Sequence, residues 1–325
     1  MVSKQFKAIG ASVILTLLSP LLLPAQEARI GNPGKSLNFF IFDLAREKGF
    51  FREEGLDLKV ISMNCDIAVK ALLTGDLDAS GCVGSASRVI ATQNVPVKTV
   101  VWLFKKPTFY VVSKPEIRKG ADLKGKTVGI SSFGSDTDLS IKVFAKLNGL
   151  DPERDIKRIP LGPTSTRLAA LKGPSIDATP LSPPYHIYAE QMGFNILAYV
   201  GDFLEFPQSG FSVSESVLQN KRVLVKKLIR GTLRGLQLVR ENRAETVRFI
   251  AKDYSLSQGI ADRVYTSILP GLSEDGTATE KGLNTMVESI AIALKREVKI
   301  PTSRLVDYGL LREVQAELGH SPGSR

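Results

Sequence analysis

Short apolar runs that read as strands alternate with amphipathic stretches that read as helices, and the alternation passes through the chain twice. In the first pass, strand-like segments at 28–31, 56–61, 77–83 and 97–104 are separated by helical periodicity at 36–48, 66–73 and 84–93. In the second, strands at 127–131, 156–161, 176–181 and 195–200 enclose helices at 135–148, 164–171 and 184–192. Alternating β and α elements predict parallel strands with helices on the sheet faces, because a parallel pair needs a long crossover and a helix makes one compactly. A local echo ties the passes together. Ala71-Leu72-Leu73-Thr74-Gly75 leads into Leu77-Asp78-Ala79, and Ala170-Leu171-Lys172-Gly173 leads into Ile176-Asp177-Ala178. Two similar α/β lobes are the economical reading.

From about Ser214 onward the chain reads as helical. Val223, Leu224, Leu228, Ile229, Leu233, Leu236 and Val239 share one face, with Lys226, Lys227, Arg230, Arg234 and Arg240 mostly opposite, as on a solvated helix surface. Further helices are expected around 244–252, 257–269, 280–296 and 308–318. Such a tail must bury its apolar faces, most simply against the first lobe. The chain then crosses between lobes twice, near 105–112 and 199–212. The resulting map is a leader at 1–25, a first lobe at 28–106 and 205–325, and a second lobe at 107–204. Two crossings make a hinge, and a hinge between two open sheets makes a cleft.

The first 25 residues stand apart from this plan. Lys4 and Lys7 precede an uncharged segment, 8–23, rich in Leu, Ile and Val, and Pro24-Ala25-Gln26 follows. A basic start, a short apolar core and a small residue describe a secretory leader cut after Ala25 or Ala28. That core is shorter than the roughly 20 residues a membrane-spanning helix needs. The mature protein is therefore expected outside the cytoplasm. Its basic excess, +10 for the whole chain and two fewer without the leader, reads as a solvated basic surface, and export argues against a nucleic-acid partner. Cys65 and Cys82 are the only cysteines. Both fall near strand ends on the same side of one sheet, and an oxidising compartment allows them to pair or to stay apart.

Enzyme constellations are thin. The two histidines are His186, beside Pro183-Pro184-Tyr185, and His320 in a polar tail. No nucleophile elbow accompanies His186, which reads as a helix-surface residue. HExxH, CxxC and DxDxDG spacings do not occur, so neither a metal site nor a cofactor is expected. The string Gly120–Thr127 fits the phosphate-loop pattern only as text. A strand follows it where a helix is required.

Small and polar residues at the strand-to-helix turns remain. In the first lobe they are Ser36, Leu37 and Asn38, then Asn64 and Cys65, then Gly84, Ser85 and Ala86. In the second they are Phe133, Gly134, Ser135, Asp136 and Thr137, then Ser182, Pro183 and Tyr185. Ligands of open α/β sheets bind at such turns, beyond the carboxyl ends of the strands, where free amides and helix dipoles point into the crevice. The stretch from Ser131 to Asp138 is the most developed. Its amides favour an anion, whereas Asp136 and Asp138 repel one, which leaves a neutral or zwitterionic ligand open. Trp102, Phe109, Phe39, Phe133 and Tyr185 serve either as apolar walls or as core.

Four stretches carry a family resemblance: AREKGFFREEGLDL at 45–58, ALLTGDLDA at 71–79, ADLKGKTVGISSFG at 121–134 and LAALKGPSIDATPLSPP at 168–184. In these the chain resembles the periplasmic solute-binding proteins of ABC importers of the sulfonate/nitrate/taurine type, related to thiamine-pyrimidine binding proteins. The resemblance implies the type II periplasmic-binding fold. It further implies a monomer that closes on a small organic solute and delivers it to a membrane permease with its ATPase. It places the ligand on the turns named above. The alternative it carries is an enzyme on the same scaffold, akin to the pyrimidine-precursor synthases. Those relatives use a cysteine-rich motif that this chain lacks.

Overall fold

The computed structural model describes residues 25–32, 34 and 36–319. The expected leader up to Pro24, and His320, lie outside the described residues. The chain first lays down β1 (Gln26–Asn32), α1 (Phe40–Glu47), α2 (Phe50–Glu53), β2 (Leu56–Ser62), α3 (Cys65–Thr74), β3 (Ala79–Ser80), α4 (Val83–Gln93) and β4 (Val97–Phe104). It then crosses to β5 (Tyr110–Ser113), β6 (Lys126–Ile130), α5 (Asp136–Leu147), β7 (Ile156–Pro160), α6 (Thr164–Lys172), β8 (Ala178–Leu181), α7 (Tyr185–Gln191) and β9 (Asn195–Tyr199). It returns through β10 (Gln208–Ser214) to six helices: α8 (Glu215–Asn220), α9 (Arg222–Glu241), α10 (Arg243–Asp253), α11 (Gln258–Ile268), α12 (Glu280–Leu294) and α13 (Gly309–Glu317).

Two five-stranded sheets result, ordered β2-β1-β3-β10-β4 and β7-β6-β8-β5-β9. The orders are equivalent position by position, with β1 matching β6, β2 matching β7 and β3 matching β8. In both, three parallel strands are followed by an antiparallel one, and that strand is the one by which the chain enters the lobe. The sheets are therefore mixed, where the alternation alone predicted parallel ones. Among the named strands β4 pairs with β10 and β9 with β5, both antiparallel, and β4 adds isolated bridges to Val306 and Leu272. The segments read as bare crossings contain β5 and β10. β5 is a four-residue strand, and β10 opens irregularly, with Ser209 at φ 54° and Gly210 at φ 154°. At Gly210 a Cβ would sit 2.0 Å from the Val101 carbonyl oxygen, so only glycine fits that approach.

The echoed aspartates have matching structural roles. Asp78 accepts the Arg29 amide at 2.9 Å and returns its own amide to the Arg29 carbonyl at 3.0 Å. Asp177 does the same with Thr127, at 2.8 Å in each direction. Each clamps the approach to one strand onto its parallel neighbour, and each faces a lysine, Lys221 or Lys114.

Helices α9 and α1 build the first lobe's core, with Leu228, Ile229, Leu236 and Val239 buried together with Phe40, Ile41 and Leu44. Val223, expected on that face, is exposed at the start of α9. The basic face is paired rather than merely solvated. Arg230 meets Glu54 at 2.6 Å, Arg234 meets Glu53 at 2.6 Å, and Lys226 bonds Glu317. Half-exposed pairs of this kind contribute roughly 0–1 kcal/mol each. Among the described residues no helix is long and apolar enough to cross a membrane.

Candidate functional site

The turn between β6 and α5 closes on itself. Ser131, Ser135 and Thr137 form a triangle of hydroxyls, each pair 2.8 Å apart, and the Ser131 amide donates to Thr137 Oγ1 at 2.9 Å. The amides of the helix amino end are spent locally. Gly134 N donates to Asp138 Oδ2 at 2.9 Å, Thr137 N to Asp136 Oδ1 at 2.9 Å, and Asp138 N to Ser135 Oγ at 3.3 Å. Asp138 is buried and bonded to Arg158 at 2.5 Å, so its charge is neutralised inside the lobe. Phe133 stands out at 59% exposure, with the Arg158 guanidinium 5.9 Å from its ring centre.

Asp136 points elsewhere. Its Oδ2 accepts from Gln208 Nε2 at 2.7 Å, and Gln208 begins β10, on the chain's way back to the first lobe. Gln208 Oε1 accepts the Thr108 amide at 3.3 Å, and Thr108 Oγ1 donates to Asn38 Oδ1 at 3.5 Å. Thus Asn38, Thr108, Gln208 and Asp136 form one polar chain. It runs from the turn before α1, through both crossings, to the turn before α5. Burial pushes the Asp136 carboxyl up, against the Thr137 and Gln208 hydrogen bonds and the field of Arg167. Arg167 lies 2% exposed on α6. Its Nε and Nη2 donate to the Pro180 carbonyl at 3.3 and 3.1 Å, Nη2 also to Thr164 Oγ1 at 3.1 Å, and Nη1 to the Gly162 carbonyl. Burial pulls the guanidinium down to about 10, with Asp136 opposing.

The first lobe presents its own turns. Ser36 accepts the Asn38 amide on its hydroxyl at 3.2 Å and the Tyr254 hydroxyl on its carbonyl at 2.9 Å. Leu37 is core. Asn64 is exposed and caps α3 through the Asp66 amide at 2.8 Å. Cys65, the first residue of α3, is disulfide-bonded to Cys82, the residue before α4, with Cα atoms 5.3 Å apart. The bridge resolves what the sequence left open, and it fixes two helix amino ends of the first lobe to one another. Gly84 is exposed, Ser85 half-buried and Ala86 core. In the second lobe, Ser182 Oγ lies 3.3 Å from Thr164 Oγ1, Pro183 is buried, and half-buried Tyr185 stands edge-on to Tyr188. Of the aromatic residues weighed as walls, Trp102, Phe109 and Phe39 are buried, whereas Phe133 and Tyr185 keep solvent access.

His186 is not on a helix surface. It is 5% exposed and stacked on Tyr110, with ring centres 4.0 Å apart and planes within 8°. Burial, with Arg263 nearby, drives its imidazole down to about 3, so it is neutral at physiological pH. Tyr110 in turn donates to the Ser267 carbonyl of α11 at 3.0 Å, and Arg263 of α11 pairs with Glu190 of α7. On the other flank, Gly134 lies against Ala293 of α12. The lobes therefore touch on both sides of the polar chain. Sequence reasoning missed Thr108, Gln208 and Arg167. Thr108 and Gln208 sit in segments read as crossings, and Arg167 carries no local signal that marks it as buried.

A family profile described as NMT1/THI5 like matches residues 36–246. The chain belongs to the NMT1/THI5-like family. Its match to the riboflavin-binding protein RibY of Chloroflexus aurantiacus is 24% identical over 208 residues, 62% of this chain and 58% of that protein. The matched stretch thus spans little more than half of this curated relative. The aliphatic sulphonate binding protein SsuA of Escherichia coli has a similar structure, with a TM-score of 0.72 at 16% identity over 88% of this chain and 99% of the other. The desulfurization enzyme DszB, in complex with biphenyl-2-sulfinic acid, aligns with a TM-score of 0.65 at 14% identity over 90% of this chain and 99% of the other. This NMT1/THI5-like chain has the periplasmic-binding-protein fold, as the sequence pattern predicted, and that fold hosts both binding proteins and an enzyme.

Proposed function

We propose that this protein captures a small organic solute between its lobes, outside the cytoplasm, and passes it to an ABC permease with its ATPase. The observation that carries the reading is the polar chain from Asn38 to Asp136. A solute resting beside it would meet half-buried Asn38 and Asp136, one turn of each lobe, which Thr108 and Gln208 join from within the crossings, the parts that change relation when two lobes hinge. Closure requires such differential contact, since a ligand shifts an equilibrium only by its preference for one state. The turns at Ser36–Asn38, Asn64-Cys65, Gly84–Ala86, Phe133–Thr137 and Ser182–Tyr185 then line the crevice. The relatives suggest two solute classes, riboflavin from RibY and sulfonates from SsuA.

An enzymatic role, suggested by the fold shared with DszB, is the weaker reading. Both cysteines are held in the disulfide, so neither offers a thiolate, and His186 is enclosed beneath Tyr110. The deciding experiment loads the purified protein with extracted small molecules and examines it by native mass spectrometry and X-ray scattering. One solute retained per chain, with a smaller radius of gyration, supports capture. Conversion of a solute by catalytic amounts of protein, without stoichiometric retention, refutes it.

A further inference from the structure

We propose that Asp136 is the specificity-determining residue of the second lobe's wall, selecting a solute head that donates hydrogens or carries positive charge and turning away compact anions. The inference rests on the capture reading above and adds to it the chemistry of the captured head.

Three observations carry it. First, the helix amino end that would ordinarily cradle an anion is already satisfied. The amides of Gly134, Thr137 and Asp138 donate to Asp138, Asp136 and Ser135 of the same turn, so an incoming sulfonate or nitrate would have to displace them. Second, the opposite charges near the wall are unequally accessible. Arg167 is 2% exposed, with Nε, Nη1 and Nη2 all committed to backbone carbonyls and Thr164, while Asp136 is half-buried as a residue. A solute at this wall therefore meets the negative member of the pair. Third, Asp136 has unused capacity. It accepts one hydrogen bond on Oδ1 from Thr137 and one on Oδ2 from Gln208, and a carboxylate has about four acceptor sites. The Gln208 bond holds the carboxylate in place, and Phe133 supplies an exposed ring close by in sequence.

The overall basic charge of the chain gives no hint of this preference. Net charge describes the field around the molecule, whereas the head of a bound solute feels the group it touches. In a crevice sheltered from water, a like charge at contact distance is far more costly than the same charge across the surface.

The test pairs heads on one skeleton. Benzamidine and benzenesulfonate share a ring and carry opposite charge; cytosine and adenine add neutral donors, and ethanesulfonate and nitrate add compact anions. Binding of each to the mature protein is measured by calorimetry at up to 10-fold above millimolar. The expected result is binding of benzamidine or a donor heterocycle, no binding of the anions, and about 10- to 100-fold weaker binding of the donors to Asp136→Asn. Val223→Ser, at an exposed position on α9 outside the turns of the crevice, serves as a folded control that leaves the Asp136 preference in place. Tighter binding of an anion than of benzamidine, with no change in Asp136→Asn, overturns the inference and leaves solute capture standing. No binding by any probe also overturns it, while capture itself is decided separately by the scattering and retention experiment.

Discussion

Gly134→Ala should separate closure from folding. Gly134 has φ 74°, and an added Cβ would lie 2.5 Å from Ala293 Cβ and 2.7 Å from Ala293 Cα, across the junction of the two lobes. Two effects follow. Placing alanine in the left-handed region costs roughly 1–2 kcal/mol at either lobe position. The steric conflict, at distances well inside van der Waals contact, costs about 1–3 kcal/mol where the packing holds. Because the partner belongs to α12 and not to the second lobe, the conflict is relieved when the lobes part. It therefore falls on closure, and solute affinity should weaken about 5- to 150-fold. The control is Gly149→Ala. Gly149 has the same φ of 74° in the same lobe, and nothing lies within 4 Å of its added Cβ. Calorimetric affinity and thermal unfolding of both variants distinguish the effects. Both should lose a few degrees of Tm, and only Gly134→Ala should lose affinity. Equal affinity losses in the two variants, or wild-type binding by Gly134→Ala, would falsify the placement of this contact on the closing path.

The disulfide between Cys65 and Cys82 closes a sequence separation of 17 residues, so reduction, or Cys65→Ser with Cys82→Ser, should destabilise the first lobe by about 3 kcal/mol in urea unfolding; an unchanged midpoint refutes this. His186 has a folded pKa of about 3, below its ordinary 6.5. The unfolded chain therefore takes up the proton first, and stability should fall by up to about 1.4 kcal/mol per pH unit as pH drops below 6.5. His186→Phe should flatten that slope between pH 6.5 and 4, and an unaltered slope counts against the burial argument. Gln208→Leu strands the Asp136 carboxylate and the Thr108 amide, and should cost about 1–3 kcal/mol of stability together with solute affinity. Retention of both would mean the polar chain does not couple the lobes.

The α/β alternation was legible because buried strands and amphipathic helices leave periodic apolar patterns that a single lobe's packing enforces. What escaped notice has the opposite character. β5, of four residues, and β10, of seven, are strands set where the chain changes lobe, and β10 departs from regular pairing between Phe211 and Ser212. Gln208 and Thr108 owe their positions to the meeting of two distant segments, a relation that no local window contains. His186 was misjudged for the same reason: its neighbours Tyr110 and Arg263 come from β5 and α11. The turns themselves were placed from strand ends and helix starts. Their hydrogen bonds could not be, and those decide that Ser135 and Thr137 serve the turn before any ligand.

The duplicated plan locates the specific chemistry by where it fails to repeat. Equivalent positions that stay alike, such as Asp78 and Asp177, clamp strands and do the same work in each lobe. The turns after β1 and β6 are also equivalent in the two sheets, yet the first contributes the uncharged Asn38 and the second the ionisable Asp136. These unlike groups end the same polar chain, joined through Thr108 and Gln208. Charge at the junction is thus set by one lobe and relayed to the other through the crossings. A change at Asp136 should alter what is bound, and a change at Gln208 should alter how binding and closure are coupled. Measuring affinity and compaction in both variants separates the two: Asp136→Asn should still compact with whatever it binds, whereas Gln208→Leu should bind more weakly and compact less at saturation.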